Sequence, residues 1–177
     1  MEEHNMVADD NQKSDRILSE VLKRENRIGK VEIEEEKTEI VIFSLGKAYY
    51  AFYGENVKEI LPYEKITYVP GSPDTIYGII NVRGDIESVV NIHKLMNLPD
   101  ARFVRNTRIL IAAKNGVRSG ILVDSVEDVL VLSRSTIKPS ISTIDKSIKS
   151  FVIGETAYGD KSVTVFDVGN IFQKILQ

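Results

Sequence analysis

The chain has 177 residues, of which 42% are hydrophobic and 28% are charged, and its formal net charge at pH 7 is −3. It contains no cysteine, which excludes disulfides, thiolate catalysis and cysteine-bound metal sites, and its two histidines, His4 and His93, are too few for a multi-histidine site. The longest aliphatic run, Ile109 to Ala113, falls far short of the roughly 20 residues of a membrane helix, so the sequence predicts a soluble, cytoplasmic protein without metal or membrane insertion.

Residues 1–38 differ from the rest of the chain in charge and composition. They carry 11 acidic and 7 basic residues, a net charge of −4, and no aromatic side chain, which favours a solvated arm. A stripe of four aliphatic residues inside it has the spacing of a short amphipathic helix: Ile17, Leu18, Val21 and Leu22. Such a helix is marginal in water unless it docks, so we predict an arm that is flexible or partly helical.

Short β-branched and apolar segments, separated by turn residues, then continue to the C-terminus. The predicted strands are Ile40–Leu45, Tyr49–Tyr53, Val57–Leu61, Ile66–Val69, Ile76–Arg83, Ile86–Ile92, Arg108–Ala113, Arg118–Val123, Val126–Leu132, Phe151–Glu155 and Ser162–Asp167. Gly46-Lys47 and Asn115-Gly116 predict tight hairpin turns. Two short helices are predicted, at His93–Leu98 and Val168–Leu176. This pattern is typical of small, mainly β barrels.

The body of the chain also repeats itself. Under shifts of 69, 71 and then 76 residues, the matching pairs are, in chain order, Ile40–Tyr53 with Ile109–Leu122, Val57–Leu61 with Val126–Leu130, Ile66 with Ile137, Gly78 with Gly154, and Val89–Ile92 with Val165–Val168. Several matches in the same order indicate a duplicated unit of about five strands and a short helix. We therefore predict a body at 39–177 made of two β-barrel subdomains, 39–105 and 106–177, whose ends are free to interleave.

No catalytic constellation accompanies this pattern. The sequence lacks a nucleophile elbow, a phosphate-binding loop and a zinc-protease motif. His93 has no partner histidine, and Glu127 and Asp128 are adjacent on a predicted strand, so their side chains point to opposite faces. The acidic balance argues against nucleic-acid binding. These features favour a binding module; a small-ligand or enzymatic barrel is the alternative, and it predicts a deep polar pocket with shifted pKa values.

The densest unusual chemistry lies in the stretch from Gly78 to Gly84. Its arginine, Arg83, aligns with Gly159 in the second copy, so the fold itself does not require an arginine there. Two roles are open for it. Arg83 either pairs with an acid such as Glu59 or Asp85 and fixes a turn, or it presents a planar donor to a carboxylate or carbonyl of a partner.

At these residues the chain resembles the CheW family, the adaptors that link chemoreceptors to the histidine kinase CheA. The motifs that carry the resemblance are Val57-Lys58-Glu59-Ile60, Val69-Pro70, Gly78-Ile79-Ile80-Asn81-Val82-Arg83-Gly84, Val89-Val90-Asn91-Ile92, Gly120-Ile121-Leu122-Val123-Asp124-Ser125-Val126 and Ile137-Lys138-Pro139. They run from about residue 39 to the end. The resemblance implies two SH3-like five-stranded barrels, in agreement with the duplication.

The resemblance further implies a non-catalytic adaptor without a cofactor, cytoplasmic and recruited to membrane-associated receptor arrays. Its partners would be the cytoplasmic tip of a chemoreceptor and the regulatory domain of CheA. The positions that match the family's receptor-binding groove are Val57, Glu59, Ile60, Arg83, Gly84, Thr107, Gly120 and Val129. A stretch that matches a kinase- or ring-binding surface is Ile137, Lys138 and Pro139.

Other roles stay open for some of these positions. Val57, Ile60 and Val129 are aliphatic residues on predicted strands, which are core residues by default, and the glycines are first of all backbone requirements. Several features depart from the family pattern. Ser88 stands where the family often has proline, and Glu87 adds a charge beside it. Ser142-Thr143 replaces a more apolar stretch at the possible ring contact, and residues 1–38 match nothing in the pattern. They leave open a CheW-like scaffold in a different two-component or surface-motility pathway.

Overall fold

The computed structural model describes residues 35–140, 146 and 148–177. Contacts divide the chain into residues 1–35 and 36–177. The predicted arm therefore lies almost entirely outside the described residues, and so does its aliphatic stripe.

In the described part of the body, ten strands and two α-helices follow one another, with single 3-10 turns between some of them. Their bounds are β1 (Lys37–Leu45), β2 (Ala48–Tyr53), β3 (Val57–Pro62), β4 (Ile76–Val82), β5 (Asp85–Val90), α1 (Ile92–Leu95), β6 (Arg108–Lys114), β7 (Val117–Val123), β8 (Ser125–Ser133), β9 (Val152–Tyr158), β10 (Lys161–Phe166) and α2 (Val168–Ile175). The predicted hairpins at Gly46 and Asn115 are present, and Asn115 and Gly116 both have the positive φ of a two-residue hairpin turn (53° and 79°).

The strands form two five-stranded sheets, so the predicted fold class, mainly β with two five-stranded units, is confirmed. The first sheet has the order β8-β1-β2-β10-β9 and the second has the order β3-β6-β7-β5-β4. The two orders are equivalent. When each strand in the first order is replaced by its counterpart from the other sequence copy, the result is the second order. Each sheet takes its hairpin from one copy and its other three strands from the other copy, so residues 39–105 and 106–177 both contribute to both sheets.

Strand β1 explains why the apolar runs are continuous rather than alternating. Ile40 and Ile42 point into an apolar cluster within the first sheet, whereas Val41 and Phe43 point into a central cluster shared by both sheets. The equivalent strand β6 divides in the same way, with Ile109 and Ile111 inside the second sheet and Leu110 and Ala112 in the central cluster. Both faces of these strands are buried, as their sequences require.

The C-terminal helix α2 covers the central cluster with one face. Val168, Ile171 and Phe172 are all buried there. Asp167 caps the helix because its Oδ1 accepts hydrogen bonds from the backbone N–H groups of Gly169 (2.7 Å) and Asn170 (3.2 Å). Asn91 caps the equivalent helix α1 in the other copy, accepting from the N–H of Lys94 at 3.1 Å.

One predicted strand, Ile66–Val69, is wrong. That segment forms only an isolated bridge, between Thr67 and Ile79, so it meets the edge strand β4 at a single residue instead of running along it. The equivalent bridge in the other copy joins Lys138 and Glu155. Both bridges bring a backbone carbonyl against a glycine, Gly78 or Gly154, where a side chain has no room. The first helix is also shorter than predicted, ending at Leu95 instead of Leu98.

Candidate partner-binding surface

The β4–β5 hairpin turns through two residues, Arg83 and Gly84, which have φ values of 54° and 100°. The N–H of Gly84 donates a hydrogen bond to Oδ1 of Asn81 at 2.8 Å, which holds the turn. A positive φ costs an ordinary L-residue about 1 kcal/mol or more. The equivalent turn in the other copy places Gly159 at the position of Arg83, also with a positive φ (61°). The fold therefore needs a left-handed residue here, and Arg83 occupies the position against its conformational preference.

The Arg83 side chain belongs to a chain of alternating charges, which we call the ion-pair cluster (Glu59, Arg83, Glu87 and Arg118). Nη2 of Arg83 lies 3.1 Å from Oε2 of Glu59, and Nη2 of Arg118 lies 3.8 Å from Oε1 of the same carboxylate. Nε of Arg118 lies 3.1 Å from Oε1 of Glu87. The side chain of Arg83 remains 80% exposed, whereas that of Glu87 is only 9% exposed. Arg83 is thus the solvent-facing end of the cluster.

The ion-pair cluster closes one end of the second sheet's apolar interior. Strand alternation puts Glu59 on the same face as Leu61, Glu87 on that of Val89, and Arg118 on that of Leu122. Val89 and Leu122 belong to the cluster inside the second sheet, and Leu61 packs against it. The paired charges therefore lie where the packed core meets water, which reduces the cost of burying Glu87.

Exposed aliphatic residues lie on the edge strands of both sheets. Ile60 on β3 is 40% exposed and Val129 on β8 is 45% exposed. The two residues are equivalent under the 69-residue repeat, and each strand is the terminal one of its sheet. Val57, by contrast, is half-buried against the central cluster. Ile60 and Val129 can therefore contact a partner directly, and Val57 mainly supports them.

Two further positions of the predicted groove are buried. Thr107 is fully buried, and its hydroxyl accepts from the N–H of Val104 (3.0 Å) and donates to the carbonyl of Arg102 (3.3 Å). Gly120 packs so closely against Ile109 and the Ser88 carbonyl that a Cβ would force a shift. Both residues shape the surface from beneath and offer it no side chain.

The predicted kinase- or ring-binding stretch lies apart from the ion-pair cluster, beside the first sheet. Ile137 packs against the apolar cluster inside that sheet. Lys138 and Pro139 are exposed, and the Lys138 backbone pairs with Glu155 through hydrogen bonds of 2.9 and 2.7 Å. The stretch is therefore held at a fixed place with two side chains outward.

Sequence reasoning missed Arg118, which joins Glu59 to Glu87. It lies on a strand predicted only from its apolar residues, and its partners are far away in sequence. The one available signal was its absence from the first copy, where Tyr49 occupies the equivalent position. His93 lies at a helix start as predicted, buried, with its Nε2 3.0 Å from Oδ1 of Asp124.

Two cavities of about 750 and 370 Å³ open on the described surface. Several groups have raised pKa values: Tyr50 and Tyr77 chiefly through burial, Tyr158 through a hydrogen bond with Asp128, and Lys161 through one with Tyr49. Burial raises the pKa of Asp167, but the hydrogen bonds from Lys114 and from the helix N-terminus lower it by more. The pKa is therefore below its ordinary value. None of these five groups lines either cavity, so neither has the features that a small-ligand barrel predicts.

Within the residues that the structure describes, no group of three or more side chains is able to hold a metal ion. None of the helices among the described residues is long and apolar enough to cross a membrane.

Comparison with known proteins supports one family. A family model described as "CheW-like domain" matches residues 39–176. The "Chemotaxis protein CheW" of Bacillus subtilis is 27% identical over 135 residues, which are 76% of this chain and 86% of that protein. The protein of the same name from Thermotoga maritima is 32% identical over 98 residues, 55% of this chain and 64% of that protein. The crystal structure of the scaffolding protein TtCheW from Thermoanaerobacter tengcongensis superposes with a TM-score of 0.67 at 30% identity, covering 75% of this chain and 90% of that one.

Proposed function

The chain belongs to the family of CheW-like domains, and we propose that it is a non-catalytic chemotaxis scaffold that couples the cytoplasmic tips of chemoreceptors to the histidine kinase CheA. On this proposal it works in the cytoplasm and is recruited to receptor arrays at the membrane. One surface would bind the receptor tip and another the regulatory domain of the kinase. The similarity of the chain to chemotaxis and scaffolding proteins supports this role.

The observation that carries the proposal is the state of Arg83. It is 80% exposed, it lies at the end of the ion-pair cluster, and it keeps a positive φ where the other copy has glycine. A strained residue whose side chain the fold does not need is typical of a functional site. Its guanidinium can form a bidentate pair with a partner carboxylate, while the nearby Arg118 keeps Glu59 from being left unpaired.

We assign different tasks to the eight positions of the receptor-binding groove. Arg83 would bind a carboxylate or carbonyl, and Ile60 and Val129 would cover apolar side chains of the receptor tip. Glu59 would orient Arg83. The remaining four would set the backbone and packing beneath these contacts: Val57, Gly84, Thr107 and Gly120. Binding by a few exposed aliphatic residues and an arginine agrees with the composition of protein interfaces.

The regulatory domain of CheA would contact the stretch of Ile137, Lys138 and Pro139. Two of its side chains are exposed and its backbone is held by Glu155. This stretch pairs with β9, at the opposite end of the first sheet's strand order from Val129 on β8, and Arg83 lies on the second sheet. The two partners would therefore bind without excluding each other. That is what an adaptor requires.

A different partner set is less well supported. Ser88 and Glu87, the departures from the family pattern, make internal contacts: the Ser88 hydroxyl bonds to that of Ser119 at 2.8 Å, and Glu87 pairs with Arg118. Residues paired within the barrel have little to offer a new partner, so these two residues do not favour a second pathway. Ser142-Thr143 and nearly all of residues 1–38 lie outside the described residues.

The test is calorimetric titration of the protein with a receptor tip fragment and with the regulatory domain of CheA. We expect Arg83→Ala to weaken binding of the receptor tip about tenfold, equivalent to about 1.4 kcal/mol, because a charge-assisted contact is lost. Binding of the regulatory domain should be unchanged. Arg134→Ala is the matched control, since Arg134 is also exposed and also pairs with one carboxylate, that of Glu36 at 3.3 Å. Equal receptor affinities for wild type and Arg83→Ala would remove Arg83 from the site.

A further inference from the structure

The connection between α1 and β6 carries five consecutive exposed residues, 102–106. We call the first four of them the arginine loop: Arg102, Phe103, Val104 and Arg105. Phe103 is 50% exposed and Val104 is 56% exposed. Single exposed apolar residues are ordinary. Two adjacent ones flanked by arginines are different, because aromatic residues and arginine are the types enriched in protein interfaces.

The arginine loop is fixed in one conformation by contacts from below. The buried hydroxyl of Thr107 bonds to the backbone of both Val104 and Arg102, and the N–H of Thr107 donates to the Val104 carbonyl at 3.0 Å. Nη1 of Arg108 donates to the carbonyl of Arg105 at 2.8 Å. The Phe103 ring stacks on Tyr63 with centroids 4.8 Å apart. A loop ordered in this way has little entropy to lose when it binds.

The charges of the arginine loop are not neutralised within the described structure. Neither Arg102 nor Arg105 forms an ion pair with any described residue. Residues 100–108 contain three arginines and one aspartate, a net charge of +2. Free, exposed guanidinium groups on either side of an apolar pair complement carboxylates at a matching spacing.

A cavity of about 370 Å³ lies directly beside the loop. Its apolar wall is formed by Leu98, Pro99, Ala101 and Val104. Two carboxylates, Asp100 and Asp124, also line it, and Asp124 is already engaged by His93 (3.0 Å) and by the N–H of Gly46 (2.7 Å). The cavity can receive an apolar side chain, which a peptide can insert and the flat face of a lipid bilayer cannot.

We propose that the arginine loop is a docking site for an acidic segment of a partner protein, in which an apolar side chain is flanked by carboxylates. The apolar side chain enters the cavity beside Val104, and the carboxylates pair with Arg102 and Arg105. The loop contains none of the eight positions of the proposed receptor-binding groove, although the buried Thr107 bonds to its backbone. This inference therefore does not depend on the proposed function.

The experiment uses the full chain and a fluorescein-labelled peptide, Gly-Glu-Glu-Leu-Glu-Glu-Gly, with binding followed by fluorescence anisotropy. We expect Arg102→Glu/Arg105→Glu and Phe103→Ser/Val104→Ser each to raise Kd at least tenfold. Lys149→Glu/Lys174→Glu changes the net charge by the same amount at exposed positions elsewhere and should leave Kd within twofold. A peptide with serine in place of leucine should bind at least fivefold more weakly.

Three results would overturn the inference. The first is equal weakening by both charge-reversal variants, which would mean nonspecific attraction. The second is equal affinity for the leucine and serine peptides, which would leave the cavity without a role. The third is sedimentation of the protein with phosphatidylglycerol vesicles that is lost in Arg102→Glu/Arg105→Glu, which would identify a lipid surface as the occupant. Circular dichroism melting of each variant verifies that it is folded.

Discussion

Arg83 combines two properties that ordinarily exclude each other, a left-handed backbone and a long, exposed side chain. Glycine adopts this conformation without strain, as Gly159 does in the equivalent turn. The ion pair with Glu59 contributes little to stability because Arg83 is largely in water. Stability alone would therefore favour glycine at this position, which is consistent with the partner contact proposed for Arg83.

This argument makes a prediction about folding that is separate from binding. Arg83→Gly should be more stable than Arg83→Ala by about 1 kcal/mol, since only alanine keeps the cost of the positive φ. Both variants should lose the same affinity for a receptor tip fragment. Urea unfolding monitored by circular dichroism measures the difference. If Arg83→Gly were the less stable of the two, the turn would not be strained as described.

Asp167 has a different task, because it joins the helix α2 to the strand β6. Burial raises its pKa, but the hydrogen bonds and charge of Lys114, with Nζ 3.0 Å away, and the N–H groups of Asn170 and Gly169 outweigh this and hold the pKa below its ordinary value. A carboxyl group with a lowered folded pKa stabilises the fold above its unfolded pKa. That contribution is lost as the pH falls through the folded value.

Asp167→Asn should keep the helix cap and lose the ion pair with Lys114, which costs about 1 kcal/mol at pH 7. Asp167→Ala should lose the cap as well, at a further cost of about 1 kcal/mol. The gap between wild type and Asp167→Asn should shrink as the pH falls below about 4, the range of an unperturbed aspartate. Urea unfolding at pH 7 and pH 3 measures both gaps. A gap that is the same at both pH values would mean that the ionised carboxylate is not what stabilises α2.

Elements that depend on local pattern could be predicted from the sequence. The apolar runs of β1 and β6 are long because both faces are buried, and the Asn115-Gly116 turn follows from its residue types. The segment Ile66–Val69 has a strand-like sequence but meets a neighbour at only one residue, Thr67. Composition cannot distinguish a segment that meets a sheet at one residue from one that joins the sheet as a strand.

Contacts between distant residues could be predicted only in part. The sequence leaves two acidic partners open for Arg83, Glu59 and Asp85, because few charged residues lie in these apolar segments. Arg118 was missed because its two partners, Glu59 and Glu87, come from other strands, and only the folded sheet order brings the three together. The role of Thr107 beneath the arginine loop likewise depends on tertiary contacts.

The duplication is visible in the sequence, but the exchange of strands between its copies is not. Self-comparison shows which segments are equivalent and cannot show whether a hairpin pairs with its own copy or with the other. Here β1 and β2 pair with β8 and β10, and β6 and β7 pair with β3 and β5. The central cluster then draws on both copies, so the body depends on the two together.

Neither half of the body should therefore fold alone. Residues 39–105 and 106–177, produced separately, should lack a cooperative thermal transition, because each would leave a hairpin and three strands without their sheet neighbours. Mixing the two fragments from denaturant should restore a transition, measured by circular dichroism. A cooperative transition in either fragment by itself would contradict the dependence of each sheet on both copies.

An adaptor has to hold two partners at once, and the positions of Arg83 and Lys138 beside different sheets leave room for both. The most direct measurement is surface plasmon resonance with a receptor tip fragment immobilised, first without and then with this protein, followed by the regulatory domain of CheA. We expect the regulatory domain to be retained only after the protein has bound, and to be retained much less after Arg83→Ala is used in its place. Displacement of the protein from the receptor fragment by the regulatory domain, or no retention of that domain, would contradict the role of a coupling scaffold.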